Sequence, residues 1–259
     1  MKAVQIKTKI ISNKEFHNHY WSLEFDSGII AKNCKPGQFV EVKVNNRNEP
    51  LLRRPISIHG VNGTKVRLIY KVVGIGTQSL SNINSGDFLE VIGPLGNGFE
   101  YIHKPKKIGN PKTILVAGGM GVAPLVFLAE KLKLSKPLVL IGAGTKNQIL
   151  CEQEFKRTGC LVKTATDDGS IGFAGKVTDL LKVSLRQGAF SEIYACGPRP
   201  MLKAVAQIAC ENNIASQLSL EEHMACGFGA CLGCVVSTKF GYKRVCKDGP
   251  VFSGKELTW

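Results

Sequence analysis

Four cysteines near the end of the 259-residue sequence have a spacing that can hold a metal centre. They form the pattern C-x4-C-x2-C-x11-C and are Cys226, Cys231, Cys234 and Cys246. The C-x4-C-x2-C part, with glycines between the cysteines, is a spacing that binds 2Fe–2S clusters. The fourth cysteine follows after only eleven residues, which departs from the usual spacing of such loops. The pattern predicts a 2Fe–2S cluster with these four thiolates as ligands.

Two other interpretations of these cysteines stay open, namely a structural zinc site and ordinary buried thiols. Zinc sites usually contain two C-x2-C-like pairs, and here only Cys231 and Cys234 form one. The intervening glycines favour the cluster, because they let the backbone wrap closely around it with amide groups directed at the sulfides. These glycines are Gly227, Gly229 and Gly233.

The other five of the nine cysteines occur singly, at Cys34, Cys151, Cys160, Cys196 and Cys210. An odd and uneven set is not typical of a secreted disulfide scaffold, so we expect reduced thiols in a cytoplasmic protein. Four of the five are interpreted as packing residues: Cys34, Cys151, Cys160 and Cys210. The histidines show no ligand spacing and are expected in surface or helix-cap positions: His17, His19, His59, His103 and His223.

Two glycine-containing stretches could bind a pyrophosphate. In "VAGGMGVAPL" (116–125) an apolar run ends on a glycine turn that opens a helical pattern, so backbone amides and a helix N-terminus could meet the ligand. The fingerprint is incomplete, because Pro124 stands where a third glycine would follow Gly119-x-Gly121. Glycine also marks tight turns that bind nothing. A second stretch, "ACGPRPML" (195–202), would lie at the same sheet edge, where open α/β folds bind ligands.

Two earlier stretches have the residue types that a flavin requires. These are "RRPISI" (53–58) and "IYKVVGIGTQSLS" (69–81). An arginine, a hydroxyl group and a Gly-Thr pair suit the diphosphate and the ring edge of a flavin. Taken alone, the same residues are equally compatible with a basic edge strand and a glycine turn.

The elements that would position these residues change character along the chain. From residue 3 to about 100, apolar and polar residues alternate between turn sequences; Val40, Val42 and Val44, for example, alternate with Glu41 and Lys43. This period predicts antiparallel strands and a small barrel.

After residue 112, short apolar strands alternate with helical stripes, which predicts βαβ units and a parallel sheet. One stripe contains Val122, Leu125, Val126, Ala129 and Leu132, and a later one Met201, Ala204, Val205 and Ile208. The regular pattern fades from about residue 216. We therefore predict a barrel over 1–103, an α/β domain over 104–215 and a cysteine-rich domain over 216–259.

Charge and hydropathy exclude several classes of protein. The formal net charge is +14, but the basic residues are scattered, so we predict no nucleic-acid partner. The longest uncharged run, Ile114–Ala129, contains three glycines and a proline and is shorter than the ~20 residues of a membrane helix. The N-terminal residues lack the apolar block of a signal peptide. We expect a cytoplasmic protein that does not span a membrane.

The combination of these motifs resembles a known family. A barrel with R-P-x-S, followed by G-G-x-G-x-A-P and C-G-P in a nucleotide domain, is the layout of the ferredoxin–NADP reductase superfamily. With the cysteine loop, the chain resembles from end to end the electron-transfer subunits of class 1B dihydroorotate dehydrogenases. The similar stretches are "LLRRPISI", "GPLGNGF", "TDDGS", "CGPRPMLKA" and "MACGFGACLGCVV".

The resemblance implies one FAD and one 2Fe–2S cluster per chain, with NAD as exchangeable substrate. The implied FAD contacts are Arg54, Pro55, Ile56, Ser57, Ile69, Tyr70, Lys71, Gly76 and Thr77. NAD would lie over Gly118, Gly119 and Gly121, with Cys196 and Gly197 near the nicotinamide. FAD exchanges a hydride with NAD and converts it into single electrons for the cluster.

By the same resemblance, the cluster exchanges electrons with FMN in a separate catalytic subunit that oxidises dihydroorotate in pyrimidine synthesis. Two chains of each kind are expected in a heterotetramer, and this chain would contain no catalytic base for dihydroorotate. One alternative is a diaphorase subunit of a sulfhydrogenase or of a flavin-bifurcating transhydrogenase. Another is a non-enzymatic binding module stapled by zinc. The residues do not decide between NAD and NADP, since Lys146 could meet a 2′-phosphate, whereas the resemblance favours NAD.

Overall fold

The computed structural model describes residues 3–44, 49–101 and 112–259. The chain divides into two compact units. The first, here the barrel unit, comprises Met1–Gly98, Glu222–Val235 and Lys243–Pro250. The second, here the sheet unit, comprises Phe99–Glu221, Val236–Tyr242 and Val251–Trp259.

The barrel unit contains a closed six-stranded antiparallel barrel in the order β1-β2-β5-β4-β3-β6. Its strands are β1 (Val4–His17), β2 (Tyr20–Asp26), β3 (Phe39–Lys43), β4 (Arg54–Asn62), β5 (Lys65–Lys71) and β6 (Phe88–Leu95). Two short helices connect strands of the barrel: α1 (Gly28–Asn33) and α2 (Ile75–Ser81). The predicted barrel is confirmed.

The alternation of the barrel sequence matches its core. Val40 and Val42 on β3 and Val66 and Leu68 on β5 are fully buried, as the two-residue period predicts. One residue differs, because Glu41 lies between the two valines and is itself fully buried. The prediction that it lies on the polar face of its strand is wrong, and the cause is a covering segment described below.

The sheet unit contains a seven-stranded sheet in the order β10-β9-β8-β7-β11-β12-β15. Its pairs are parallel except for β15, which runs antiparallel to β12. The strands are β7 (Lys112–Gly118), β8 (Leu138–Ala143), β9 (Leu161–Thr166), β10 (Phe173–Ala174), β11 (Phe190–Cys196), β12 (Ala215–Ser219) and β15 (Val251–Ser253). A separate hairpin pairs β13 (Val235–Thr238) with β14 (Gly241–Arg244).

The helices of the sheet unit are α3 (Val122–Leu132), α4 (Glu152–Arg157), α5 (Val177–Arg186) and α6 (Arg199–Glu211). Every residue of the stripe predicted on α3 is buried. On α6, Val205 and Ile208 are buried as predicted, whereas Met201 and Ala204 are only half-buried. Among the described residues, no helix combines the length and hydropathy that a membrane span needs.

The predicted division into three domains stays a prediction. Its first boundary, at 103–104, lies outside the described residues. Its second boundary, at 215–216, falls within β12, which pairs with β11.

Candidate functional site

The cysteine loop, residues 226–234, and Cys246 both belong to the barrel unit. Backbone amides point at the sulfur atoms: Ala230 N–H donates to Cys226 Sγ at 3.3 Å, and Gly233 N–H donates to Cys231 Sγ at 3.4 Å. Cys246 N–H donates to Cys234 Sγ, also at 3.4 Å. Amide donors stabilise thiolate sulfur, so the loop is arranged for charged ligands.

Interactions among the four thiols show that the fold brings them together. Partial burial raises the pKa of Cys226, but hydrogen bonds from the Cys231, Phe228 and Ala230 amides and from the Cys231 thiol lower it to about 6. Burial raises the pKa of Cys246 to about 12, with further contributions from a hydrogen bond to Cys234 and from the charges of Cys234 and Cys226. Four thiolates this close would repel one another unless metal ions neutralised them. The donor set therefore fits an iron–sulfur cluster.

The glycines of the loop have different reasons to be glycine. Gly227 and Gly229 have positive φ values of 75° and 91°, and a Cβ atom on Gly229 would lie 2.6 Å from Lys247 Cδ. Gly233 has no such constraint, because its nearest contact, Cys231 Sγ, would lie 3.5 Å from a Cβ atom. Leu232 adopts a left-handed conformation instead, with φ of 59°. The expectation that Gly233 lets the backbone wrap closely around a cluster stays a prediction, because the protein atoms alone do not test it.

An ion pair that the sequence analysis missed supports the loop. The guanidinium group of Arg244 donates to Asp248 Oδ2 at 3.0 Å and to the carbonyl oxygen of Gly229 at 3.1 Å. A bidentate arginine pair fixes both partners more tightly than a single contact does. The pair therefore holds the loop from its Gly229 side. Its only sequence signal is the i, i+4 spacing of an Arg and an Asp just after the loop.

Among the predicted FAD residues, the structure brings Arg54 and Gly76 together. Arg54 begins β4, and its guanidinium group donates to the carbonyl oxygen of Leu52 at 2.6 Å. Gly76 lies in the first turn of α2, where a Cβ atom would be 2.5 Å from the guanidinium carbon of Arg54. Thr77 Oγ1 accepts hydrogen bonds from the amides of Val73 and Gly74 and so orders the same turn. A cation beside an ordered turn can bind a phosphate group.

The other predicted FAD residues lie on two strands of the barrel. On β4, Pro55 and Ser57 are half-buried and Ile56 is buried. On β5, Ile69 and Tyr70 are buried, whereas Lys71 is exposed and lies over the ring of Tyr20. Burial raises the pKa of Tyr70, opposed by the hydrogen bond that its hydroxyl group donates to Asn13 Oδ1 at 3.0 Å. Tyr70 is therefore a neutral phenol tied into the barrel.

The residues predicted to bind NAD meet at the carboxyl ends of β7 and β11. These strands are parallel neighbours, with Cys196 in register with Ala117. A Cβ atom on Gly121 would lie 2.7 Å from the amide nitrogen of Gly197 and closer still to the carbonyl group of Cys196. A Cβ atom on Gly197 would lie 3.0 Å from the backbone of Gly118. The turn from β7 into α3 thus lies directly against the end of β11, at the sheet edge where α/β folds bind nucleotides.

Cys196 is a neutral thiol at this sheet edge. Burial raises its pKa, the nearby charge of Glu221 raises it further, and hydrogen bonds from Ser219 and the Gly197 backbone only partly oppose them. A neutral thiol is a weak nucleophile, so its environment suits packing beside a ligand rather than covalent chemistry.

Sequence reasoning missed a polar cluster at the same edge of the sheet. The Lys146 amide donates to Ser170 Oγ at 2.8 Å, and the Ser170 hydroxyl donates to Asp168 Oδ1 at 2.6 Å. Hydrogen bonds from the Ser170 side chain and backbone lower the pKa of Asp168. Asp168 therefore stays a carboxylate near Lys146, the residue considered for a 2′-phosphate. The "TDDGS" stretch was the available signal.

Glu41 is a further residue whose environment sequence reasoning missed. Burial raises its pKa to about 7, opposed by the charge of Arg53, while the charge of Cys226 acts with burial. Strand alternation gives no signal for it.

Predictions about four single residues are wrong or only partly met. His59 is fully buried rather than at the surface. Cys210 is exposed on α6 and is not a packing residue, whereas Cys160 is buried as predicted. Cys34 and Cys151 are half-buried. His103 lies outside the described residues.

Two family models match the chain. One describes the iron–sulfur cluster binding domain of dihydroorotate dehydrogenase B and matches residues 221–258. The other describes an oxidoreductase NAD-binding domain and matches residues 115–207. The first range contains all four cysteines, and the second contains the glycine turn after β7 together with Cys196 and Gly197.

Relatives and solved structures agree with these matches. The chain is 42% identical to the dihydroorotate dehydrogenase B (NAD(+)) electron transfer subunit of Desulforamulus reducens, over 93% of each chain. It is 38% identical to the subunit of the same name from Caldanaerobacter subterraneus subsp. tengcongensis, over 98% of each chain. The chain is also similar to the solved structure of an NADH-dependent reduced ferredoxin-NADP oxidoreductase, which was described for flavin-based electron bifurcation. The two have a TM-score of 0.85 and 30% sequence identity, and the match covers 97% of this chain and 90% of that chain.

A ferredoxin NADP+ reductase from Neisseria gonorrhoeae, solved with FAD and NADP, has a TM-score of 0.66 to this chain and 15% sequence identity. The match covers 80% of this chain and 91% of that chain, and it shows that the two share a fold. The barrel, the parallel sheet and the cysteine loop thus agree with the sequence similarity over nearly the whole chain. The chain belongs to the family of dihydroorotate dehydrogenase B (NAD(+)) electron transfer subunits.

Proposed function

We propose that this chain carries electrons between NAD and the FMN of a dihydroorotate-oxidising catalytic subunit in pyrimidine synthesis. The observation that carries the proposal is the convergence of four reduced cysteines, with amides directed at their sulfur atoms, in the same unit as the Arg54–Gly76 pair. The names of relatives at 38–42% identity supply the partner reaction.

Each module would bind one group. Cys226, Cys231, Cys234 and Cys246 would hold one 2Fe–2S cluster per chain, and the residues of β4, β5 and α2 named above would hold one FAD. When bound, FAD exchanges a hydride with NAD and passes single electrons to or from the cluster. Arg54 would neutralise phosphate charge, and the backbone of Gly118, Gly119 and Gly121 would approach the pyrophosphate of NAD.

We place the contact with the catalytic subunit at the cysteine loop. Cys231 is exposed, and two neighbouring apolar side chains are exposed as well: Phe228 by 56% and Leu232 by 60%. Exposed apolar side chains around a redox centre favour docking of a protein partner, and close approach favours electron transfer.

We further propose a heterotetramer of two chains of each kind. A cytoplasmic location agrees with the absence of disulfides among the nine cysteines, all of which lie in the described residues.

A second candidate is the diaphorase subunit of a flavin-bifurcating enzyme. The TM-score of 0.85 to the NADH-dependent reduced ferredoxin-NADP oxidoreductase favours it, whereas the higher identity to dihydroorotate dehydrogenase B subunits favours the first function. The third candidate is a non-enzymatic binding module that is stabilised by a zinc ion. A protein of this kind would be colourless.

Reconstitution with a catalytic subunit tests the proposal. The chain with bound FAD is expected to reduce artificial dyes with NADH but to leave dihydroorotate unchanged. Adding a dihydroorotate dehydrogenase B catalytic subunit should create dihydroorotate-to-NAD electron transfer. Oxidation of dihydroorotate by this chain alone, or coupling only to ferredoxin and NADPH, would contradict the proposal. An absorption spectrum without flavin or cluster bands would support the zinc module instead.

A further inference from the structure

The carboxyl group of Glu41 is an unusual feature of the barrel unit. Glu41 lies in the middle of β3, is fully buried, and within the described parts of the chain neither of its carboxyl oxygens has a hydrogen-bond partner. Burying a carboxyl group without a partner costs free energy, so such a group in a native fold calls for an explanation.

The cysteine loop is what covers this carboxyl group. A Cβ atom on Gly227 would lie 2.6 Å from Glu41 Oε1 and 2.9 Å from Glu41 Cδ. The backbone of Gly227 therefore lies directly on the carboxyl group, one residue from the proposed ligand Cys226. Both residues belong to the barrel unit.

Two other roles for Glu41 do not agree with the structure. Direct contact with a bound flavin would need accessible oxygens, and both oxygens are covered. Among the described residues, the carboxyl group of Glu41 forms no ion pair within 4.0 Å. The neighbouring Arg53 pairs with Glu90 instead. What remains is the contact with Gly227.

The strand that carries Glu41 also adjoins the proposed FAD residues. Glu41 is in register with Pro55 on β4, and Phe39, two residues earlier, is in register with Ser57. A contact between Glu41 and Gly227 therefore connects the start of the cysteine loop to the strand pair that carries R-P-x-S.

We infer that Glu41 is a positioning residue for the cluster, and that its side chain forms the surface on which Gly227 turns and so fixes Cys226 relative to β3 and β4. The inference rests on the proposed function, because it assumes a cluster at the four cysteines. The role is one of shape. The extended side chain fills the space beneath the loop, and glycine at 227 lets the backbone approach it.

Substitutions of Glu41 separate shape from other effects. In E41A the loop loses its support, so we expect a changed electron paramagnetic resonance spectrum of the reduced cluster and loss of the cluster in air about 10-fold faster than in the unmodified chain. E41Q has the same shape and should keep the original spectrum and cluster lifetime. V42A is the matched control, because Val42 is equally buried on the opposite face of β3 and should leave the spectrum unchanged.

The outcomes are distinct. An original spectrum and lifetime in E41A would overturn the inference, and so would an equally altered spectrum in E41Q, which would assign the effect to charge. If E41A does not fold, G227A probes the same contact from the loop. Its spectrum should change to the same extent in the original and the E41Q backgrounds, because the two side chains at position 41 have the same shape, whereas an unchanged G227A spectrum would overturn the inference. Absence of any cluster in the unmodified chain would refute the proposed function itself.

Discussion

Gly76 leaves the space that the guanidinium group of Arg54 occupies: a Cβ atom on Gly76 would lie 2.5 Å from the guanidinium carbon. The contact joins the first residue of β4 to the first turn of α2. It thereby assembles one candidate phosphate site from two stretches that are separate in the sequence.

Replacing Arg54 by alanine should weaken FAD binding. A charge-assisted contact with phosphate contributes about 1.5–3 kcal/mol, and water does not replace it without loss. Equilibrium titration of the FAD-free protein with FAD measures the effect. Unchanged affinity and full occupancy in R54A would move the flavin site elsewhere.

Gly76→Ala should reproduce part of this loss while Arg54 is still present. The added methyl group displaces the guanidinium group, which is the mobile end of a long side chain, so stability should change little while FAD affinity falls about 10-fold or more. The matched control is G74A in the same turn, because Gly74 has extended backbone and no atom within 4 Å of its Cβ position. Equal FAD affinity in G76A and G74A would contradict the predicted role of the Arg54–Gly76 contact.

Gly121→Ala should disrupt the NAD site together with the fold around it. Its Cβ atom would meet the backbone of Cys196 and Gly197, which cannot rotate away as a side chain can. Overpacking of this kind costs about 1–3 kcal/mol or more, so both the melting temperature and NADH affinity should fall. G188A, whose Cβ atom would be 3.4 Å from Phe190, is the control in the sheet unit. A G121A variant that melts and binds NADH like the original chain would refute this.

Serine at any of the four cluster cysteines should remove the cluster. The unmodified chain should contain about two irons and two acid-labile sulfides, because each cluster has that composition. C226S, C231S, C234S and C246S should lose most of both, since a hydroxyl group is a poor substitute for a thiolate. C210S, at an exposed position on α6, should keep them. Stoichiometric zinc in protein purified without oxygen would refute the cluster.

Alkylation should distinguish the remaining thiols. Burial raises the pKa values of Cys160 and Cys196, so few of these thiols are deprotonated near pH 8 and both are covered as well. Cys210 is exposed and should react with iodoacetamide first. Peptide mass spectrometry over a time course measures the order. Early labelling of Cys196 in the folded protein would show that the end of β11 is more open than described.

Local sequence patterns determined the elements of this protein. The two-residue alternation around Val40 and Val42 predicted the barrel strands, because side chains on a strand alternate between its faces. The apolar stripe of α3 predicted a buried helix, because residues spaced at the helical period of 3.6 residues lie on one face. The cysteine spacing identified the loop, because one continuous segment supplies three of the proposed ligands.

Only the tertiary structure decided which of these segments meet. Glu41 has the sequence environment of an exposed strand residue, and it is buried because a loop from the far end of the chain lies on it. Gly121 is confined by the end of β11, a strand that is distant in sequence and adjacent in the sheet. These contacts build the candidate sites. Local periodicity contains no information on them, because they depend on how strands pair and how loops close.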